Sequence, residues 1–377
     1  MKSFWCADSG PAEEVPVAKP RLPLGEEVVP YLRRIDESRW YSNSGPLVEE
    51  LENRLTTHAG GGAVATAANA TIGLALALLA CDLAPGSLCM VPAWTFAATG
   101  HAIWLAGLEP WIVDVDLKSW TLEPNAARGF LSHAPGRIGV VMPVSPFGQL
   151  IDFAAWESFR EETGVPVVVD AAAMFDRIRA SSIPVVVSLH ATKALGVGEG
   201  AFIISTDAHF REEIQKRANF GFWGTREATA RSLNGKMSEY TAAVALAALD
   251  QWQTIRADFS RVAQRYRACF QDSPGVAMQE GFGDEWISST AIVALERGGA
   301  EQVGEQLLAH GIGTRRWWGG GLHRHAAFAS CACGPTENTD KIVERVLGLP
   351  CWRDLPNEKI DWISELVVSA AKQLRNE

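Results

Sequence analysis

The chain has 377 residues, 34 basic and 44 acidic side chains and a formal net charge of −10, with 47% hydrophobic and 21% charged residues. These are ordinary globular proportions, which exclude a wholly disordered or collagen-like chain, and the length suffices for two domains or one large one whose core needs neither disulfide nor metal. The acidic balance, unrelieved by any strongly basic stretch, argues against nucleic acid as a partner.

In chain order, the N-terminus shows Trp5, Cys6 and Asp8 and no long apolar run, so no secretory signal is read there. Pro11, Pro16, Pro20 and Pro23 make residues 1–25 an extended arm. A helix is expected over 26–36, a turn-rich loop over 41–46 and a second helix over 47–58. Short apolar strands follow at 63–67, 87–91, 109–113, 139–144, 166–169, 185–188 and 201–205, with helices between most of them. Several are apolar throughout, the pattern of strands buried on both faces in a mostly parallel sheet covered by helices. The most apolar stretch, 63–81, is broken by Asn69, Thr71 and Gly73. It reads as a buried strand, a polar turn and a buried helix rather than a membrane span. After Arg226 come an alanine-rich helix at 238–249 and a long amphipathic helix at 252–270. A smaller α+β region follows, with a strand near 289–294, a helix at 300–310, a glycine-rich loop at 319–321 and a last helix near 358–373. The expected division is an arm at 1–25, a large domain at 26–255 and a small one at 256–377.

Seven cysteines are present, and no spacing repeats among them. Cys331 and Cys333 form a lone C-x-C, a poor zinc signal, so no metal site is expected and the thiols read as structural. Reduced cysteines suit the cytoplasm.

The strongest constellation joins two strand ends. An apolar strand runs into Asp170, and a second ends at Ser188, followed by Lys193 among Ala, Leu and Gly. Ligands of open α/β sheets bind beyond the carboxyl ends of strands, where these side chains would converge. A lysine shielded from water has a lowered pKa and a nucleophilic amine suited to Schiff-base chemistry; a surface lysine beside a glycine loop would show the same spacing. Thr71, between a strand and an apolar helix, can cap that helix, whose free N–H groups suit a phosphate. Trp94, just past another strand, offers a flat face for a ring or else belongs to the core.

Taken together these segments resemble the pyridoxal-phosphate enzymes of fold type I, and more narrowly the DegT/DnrJ/EryC1/StrS family of sugar aminotransferases. The matching segments run in family order. They include Ser44-Gly45-Pro46, Asn69-Ala70-Thr71, Pro92-Ala93-Trp94-Thr95-Phe96, Asp114-Val115-Asp116, Asp170-Ala171-Ala172, Ser188 to Lys193, Gly198-Glu199-Gly200, Asn234-Gly235-Lys236 and Leu322-His323. The resemblance implies a large domain with a mostly parallel sheet, a smaller α+β domain, and pyridoxal 5′-phosphate as cofactor. It implies that Lys193 carries the cofactor as a Schiff base and later moves the proton, and that Asp170 pairs with the pyridine nitrogen. Trp94 would stack on the ring. Ala70, Thr71 and Ser188 would hold the phosphate. Asn234 would reach the phosphate of a neighbouring subunit, so that a homodimer shares its active sites.

Four positions depart from the family, the first three of them bordering the expected sugar site. Ala173 stands where Gln or His is usual, the connector 174–187 is short, Ser145 replaces a frequent histidine, and Ala201 replaces a second glycine. Arg315, Arg316, Trp317 and His323 are candidates for substrate contact, because arginine pairs with carboxylate or phosphate and tryptophan offers a stacking wall. A solvated arginine pair beside core tryptophans is the alternative. The implied activity is transfer of an amino group from L-glutamate to a nucleotide-linked keto-sugar, in a cytoplasmic enzyme with no nucleic-acid or membrane partner. A cyclitol or other polar ketone as acceptor, or a non-catalytic cofactor-binding relative, stay open.

Overall fold

A computed structural model describes residues 14–376. Trp5, Cys6, Pro11 and the beginning of the expected arm lie outside the described residues.

Helices α1 (Gly25–Ser38) and α2 (Pro46–His58) lead into an alternating succession. It runs β1 (Ala63–Ala67), α3 (Ala70–Ala80), β2 (Leu88–Pro92), α4 (Ala97–Leu105), β3 (Glu109–Val113), α5 (Pro124–Leu131), β4 (Ile138–Val141), α6 (Phe153–Thr163), β5 (Val169–Asp170), β6 (Val185–Ser188), β7 (Ala201–Ser205) and α7 (Ala208–Ala218). Helices α8 (Glu239–Asp250) and α9 (Trp252–Phe270) connect it to β8 (Val276–Met278), β9 (Ala291–Leu295), α10 (Ala300–Ala309), β10 (Ala332–Cys333), α11 (Glu337–Arg345), β11 (Val346–Leu349) and α12 (Asn357–Asn376). Among the described residues no helix is long and apolar enough to cross a membrane.

Two strand ladders, ordered β1-β7-β6-β5 and β10-β3-β2-β4, join edge to edge. The Val141 amide donates to the Pro166 carbonyl at 2.9 Å, Val168 to Val141 at 3.0 Å and Asp170 to Pro143 at 3.0 Å. The result is one large sheet. Only β7 opposes its neighbours, running antiparallel to β1 and β6, while the remaining pairs are parallel. Because β1 and β6 both oppose β7, the ends at Ala67, Pro92, Val113, Asp170 and Ser188 share one edge.

The uniformly apolar strands have a simple cause. Side chains alternate faces, and both faces are covered. Val167, Val169, Val185 and Phe202 enter one hydrophobic core, and Val168, Val186 and Ile203 enter the other. Proline shortens two of the expected strands. Pro143 and Pro166 accept hydrogen bonds across the seam but cannot donate, so the ladder is interrupted at both.

A separate antiparallel sheet, β11-β9-β8, is built from residues beyond 275. Residues 15–17 attach to this part of the chain. The Gly313 amide donates to Val15 at 2.8 Å and the Cys351 amide to Val17 at 3.1 Å. Four elements here have no counterpart in the sequence expectations: β8, β10, β11 and α11. Strand β10 is two residues long and returns to the large sheet beside β3. A pairing so short leaves no periodicity to read.

Candidate active site

Asp170, the last residue of β5, is 6% exposed. Its Oδ2 accepts a hydrogen bond from the Thr99 hydroxyl at 2.8 Å, and its Oδ1 accepts from the Ala172 amide at 3.1 Å. Burial pushes the carboxyl above its ordinary value, against the opposing pull of Thr99, the Ala172 amide and the charge of Lys193. Lys193 shows the complement. Burial lowers its pKa, and Asp170 partly restores it. The two groups are close enough to act on each other's charge.

The lysine loop is held from several sides. The Lys193 amide donates to His190, and the Ala191 amide to Gly198, each at 2.8 Å. The Ser289 hydroxyl donates to the Thr192 carbonyl at 2.6 Å, tying the loop to the segment before β9. Gly196 permits the fold-back, since a Cβ there would lie 2.5 Å from the Ala191 carbonyl oxygen. Ser188 ends β6, and its Oγ accepts from the His190 amide at 3.2 Å. The His190 ring turns to the Thr192 hydroxyl at 2.9 Å.

Helix α3 begins two residues earlier than a Thr71 cap requires. Asn69 is the cap, its Oδ1 accepting from the Ile72 amide at 3.0 Å and its carbonyl from Gly73 at 2.9 Å. Thr71 instead sits in the first turn. Asparagine in extended backbone before the turn is as good a cap as threonine, and the strand ends at Ala67, so Asn69 reaches the helix first. The Ala70 and Thr71 amides and the Thr71 hydroxyl have no hydrogen-bond partner among the described residues. They form a partly open donor cluster at the positive end of an 11-residue helix. The helix packs on β6 through Gly73, where a Cβ would come within 3.1 Å of Val186. This brings its start to the edge where Ser188 ends. The Asn234–Gly235 segment lies on the same turn, the Ala68 amide donating to Gly235 at 2.8 Å. Asn234 itself is exposed.

Trp94 follows β2 and is 2% exposed. It meets Trp318 edge-on at 5.0 Å and Phe147 at 6.3 Å, while Phe147 and Trp318 stack at 4.2 Å. The Leu322 amide donates to Ala93 at 2.7 Å, which docks the 317–323 segment beside Trp94. The indole nitrogens of Trp94 and Trp317 and Nδ1 of His323 are buried without a partner among the described residues.

The other candidates separate. Arg315 is exposed and lies over the Trp317 ring at 4.9 Å, with no acidic partner among the described residues. Arg316 is engaged, donating to the Val343 carbonyl at 3.0 Å with Glu301 at 3.5 Å. His323 is bound through Nε2 to Asp340 at 3.1 Å, a carboxylate that Arg324 also holds. Sequence reasoning missed Thr95, Thr99, Phe147, Ser289 and Asp340. Apart from Thr95, which meets Thr99 four residues on, each acts through a contact between separate segments.

These residues fit pyridoxal phosphate. A half-buried amine and a buried acid act on each other's charge, free amides at a helix start suit a phosphate, and an indole borders the same edge.

Comparison with known proteins agrees. A family model described as the DegT/DnrJ/EryC1/StrS aminotransferase family matches residues 23–368. Protein Rv3402c of Mycobacterium tuberculosis is 29% identical over 89% of this chain and 85% of its own length. The dTDP-4-amino-4,6-dideoxy-D-glucose transaminase of Escherichia coli is 26% identical over 94% of this chain and 98% of its own. Among solved structures, DesI in the presence of its TDP-sugar product superposes with a TM-score of 0.86 at 28% identity, covering 97% of this chain and 96% of that one.

Proposed function

The chain belongs to the DegT/DnrJ/EryC1/StrS aminotransferase family, and from that premise we propose that it transfers an amino group from L-glutamate to a nucleotide-linked keto-sugar. It is a pyridoxal-phosphate-dependent aminotransferase, and the likeness to a dTDP-sugar transaminase and to DesI supports an amino-sugar product. The observation that carries the reading is the pairing of half-buried Lys193 with buried Asp170 at the sheet edge where α3 presents its free amides.

When bound, the cofactor supplies an aldehyde for amine exchange and a ring that accepts electrons. The residues of the chain supply the rest. Burial favours the neutral amine of Lys193, which makes Nζ a nucleophile and then a base able to take a proton and return it. The Asp170 carboxylate holds a positive charge on the pyridine nitrogen by charge pairing. The Ala70 and Thr71 amides, the Thr71 hydroxyl and the Ser188 hydroxyl bind the phosphate. Trp94 covers one face of the ring and keeps water from it. Arg315, exposed and with no acidic partner among the described residues, is the better candidate for a substrate carboxylate or phosphate, because the two terminal nitrogens of Arg316 already meet Val343 and Glu301. Trp317 and His323 border the same space.

Asn234, exposed on the surface, serves the phosphate of a second copy, so the working unit is a cytoplasmic homodimer. The division into an arm, a large domain at 26–255 and a small one at 256–377 belongs to this reading. The separate three-stranded sheet beyond residue 275 supports it.

The test is reconstitution. Protein incubated with pyridoxal phosphate gains visible absorbance, and borohydride followed by peptide mass spectrometry places the cofactor on Lys193. Lys193→Ala abolishes both. Glutamate bleaches the wild-type chromophore, and a panel of nucleotide keto-sugars restores it. A protein that stays colourless in excess cofactor refutes the proposal.

A further inference from the structure

We infer that Thr95 and Thr99 form a two-hydroxyl relay that orients Asp170 and stabilises its anionic form, making both threonines positioning residues for the reaction. The inference rests on the reading of Asp170 as the partner of the pyridine nitrogen.

The geometry is a chain of two contacts. Thr99 Oγ1 donates to Asp170 Oδ2 at 2.8 Å, and Thr95 Oγ1 lies 2.8 Å from Thr99 Oγ1. Both threonines are fully buried, so water does not compete. A hydroxyl carries one proton. With Asp170 ionised, Thr99 spends its proton on the carboxylate and can only accept from Thr95. The polarity Thr95 to Thr99 to Asp170 is therefore set by the charge of Asp170. Each donor in such a chain strengthens the next. Were Asp170 protonated at Oδ2, that proton would have to enter the chain and Thr99 would have to turn away.

Helix α4 adds to the effect. It begins at Ala97, has no side-chain cap and no acidic residue in its first turn, and Thr99 lies in that turn. Through Thr99 the carboxylate stands beside a helix N-terminus with unneutralised positive character. The Ala172 amide holds Oδ1. Lys193 is the one charged group acting on Asp170 among the described residues. One bond on each carboxylate oxygen fixes the plane of the group and leaves lone pairs free for a protonated ring nitrogen. Without the relay, burial alone favours the neutral acid, which cannot hold that charge.

The test compares wild type, Thr99→Val, Thr95→Val and Thr99→Ser. Titration of Asp170 is followed in protein carrying 13C-labelled aspartate, by the carboxyl signal that Asp170→Asn removes; it needs no cofactor. Thr99→Val raises that titration by about one pH unit, the size expected for losing a hydrogen bond to a charged group. Thr95→Val moves it the same way by less, and Thr99→Ser restores the wild-type value. In reconstituted protein the acid-side loss of the cofactor, which follows protonation of Asp170, moves about one pH unit higher in Thr99→Val. A folded Thr99→Val protein that titrates like wild type, or a Thr99→Ser protein that behaves like Thr99→Val, overturns the relay. Should wild type itself bind no cofactor while the titrations shift as stated, the relay stands and the cofactor reading fails.

Discussion

Asp114 ends the strand edge beside the candidate site and caps a helix far away in sequence. Its Oδ2 accepts from the Asn338 amide at 2.8 Å, and its Oδ1 from the Thr339 amide at 2.9 Å and the Thr339 hydroxyl at 2.7 Å. These are first-turn groups of α11, whose own cap, Thr336, makes no side-chain bond. Asp114→Ala strands all three of these helix donors, and also frees the neighbouring Val115 amide, from which Oδ1 accepts at 2.9 Å. Thr339 is fully buried, so its amide and hydroxyl each lose roughly 1–2 kcal/mol, whereas Asn338, partly exposed, regains water. The total is about 3 kcal/mol. Asp114→Asn keeps one acceptor oxygen and costs about 1 kcal/mol. Asp340, on the same helix, is the residue that holds His323 and Arg324. The loss therefore reaches the segment docked beside Trp94. Amide hydrogen exchange of the peptide covering α11 is the direct assay. Opening that is easier by about 3 kcal/mol speeds exchange on the order of 100-fold, and urea unfolding followed by circular dichroism registers the global share. Exchange unchanged at α11 in Asp114→Ala, with stability within about 0.5 kcal/mol of wild type, would refute the reasoning.

Two further substitutions probe the same kind of long-range anchoring. Glu239 is 1% exposed, and its carboxylate receives the Leu47 and Val48 amides at 2.8 and 3.1 Å, capping α2. Gly45→Ala puts a Cβ 2.8 Å from the Glu239 Cδ and 2.4 Å from Trp40. It should destabilise by about 1–3 kcal/mol in thermal unfolding; wild-type stability would show that the loop yields freely. Glu157 Oε1 accepts from the Ser182 hydroxyl at 2.7 Å, the Ser182 amide at 2.9 Å and the Ser181 hydroxyl at 2.8 Å, pinning the short connector to α6. These bonds, those of Ser182 first, hold its carboxyl below the ordinary glutamate value. The folded pKa lies below the unfolded one, so the stabilisation is complete above about pH 4.5 and is lost as pH falls through the folded value. Glu157→Ala should cost about 1–2 kcal/mol at pH 7 and progressively less in acid. A stability difference that does not change with pH contradicts the assignment.

The sequence by itself determined the elements that local physics governs. Strand β1 at Ala63–Ala67, strand β3 at Glu109–Val113 and helix α9 at Trp252–Phe270 coincide with the expected spans. An apolar run between turns, or a 3.6-residue stripe, is a local signal. The strand-end positions of Asp170 and Ser188, with Lys193 in the loop that follows, were legible for the same reason, since the topology of an open sheet dictates where ends converge. The tertiary structure alone decided which side chains complete the site. Asn69 rather than Thr71 caps α3 because its side chain accepts the Ile72 amide as the chain turns directly from β1 into the helix. Thr99 meets Asp170 across 71 positions, and Asn338 meets Asp114 across 224. The neighbouring Arg315 and Arg316, alike in sequence, part company because one guanidinium rests on an indole and the other is taken up by a carbonyl and a glutamate. A hydrogen bond depends on a few ångströms of separation and on direction, and those are set only after distant segments pack.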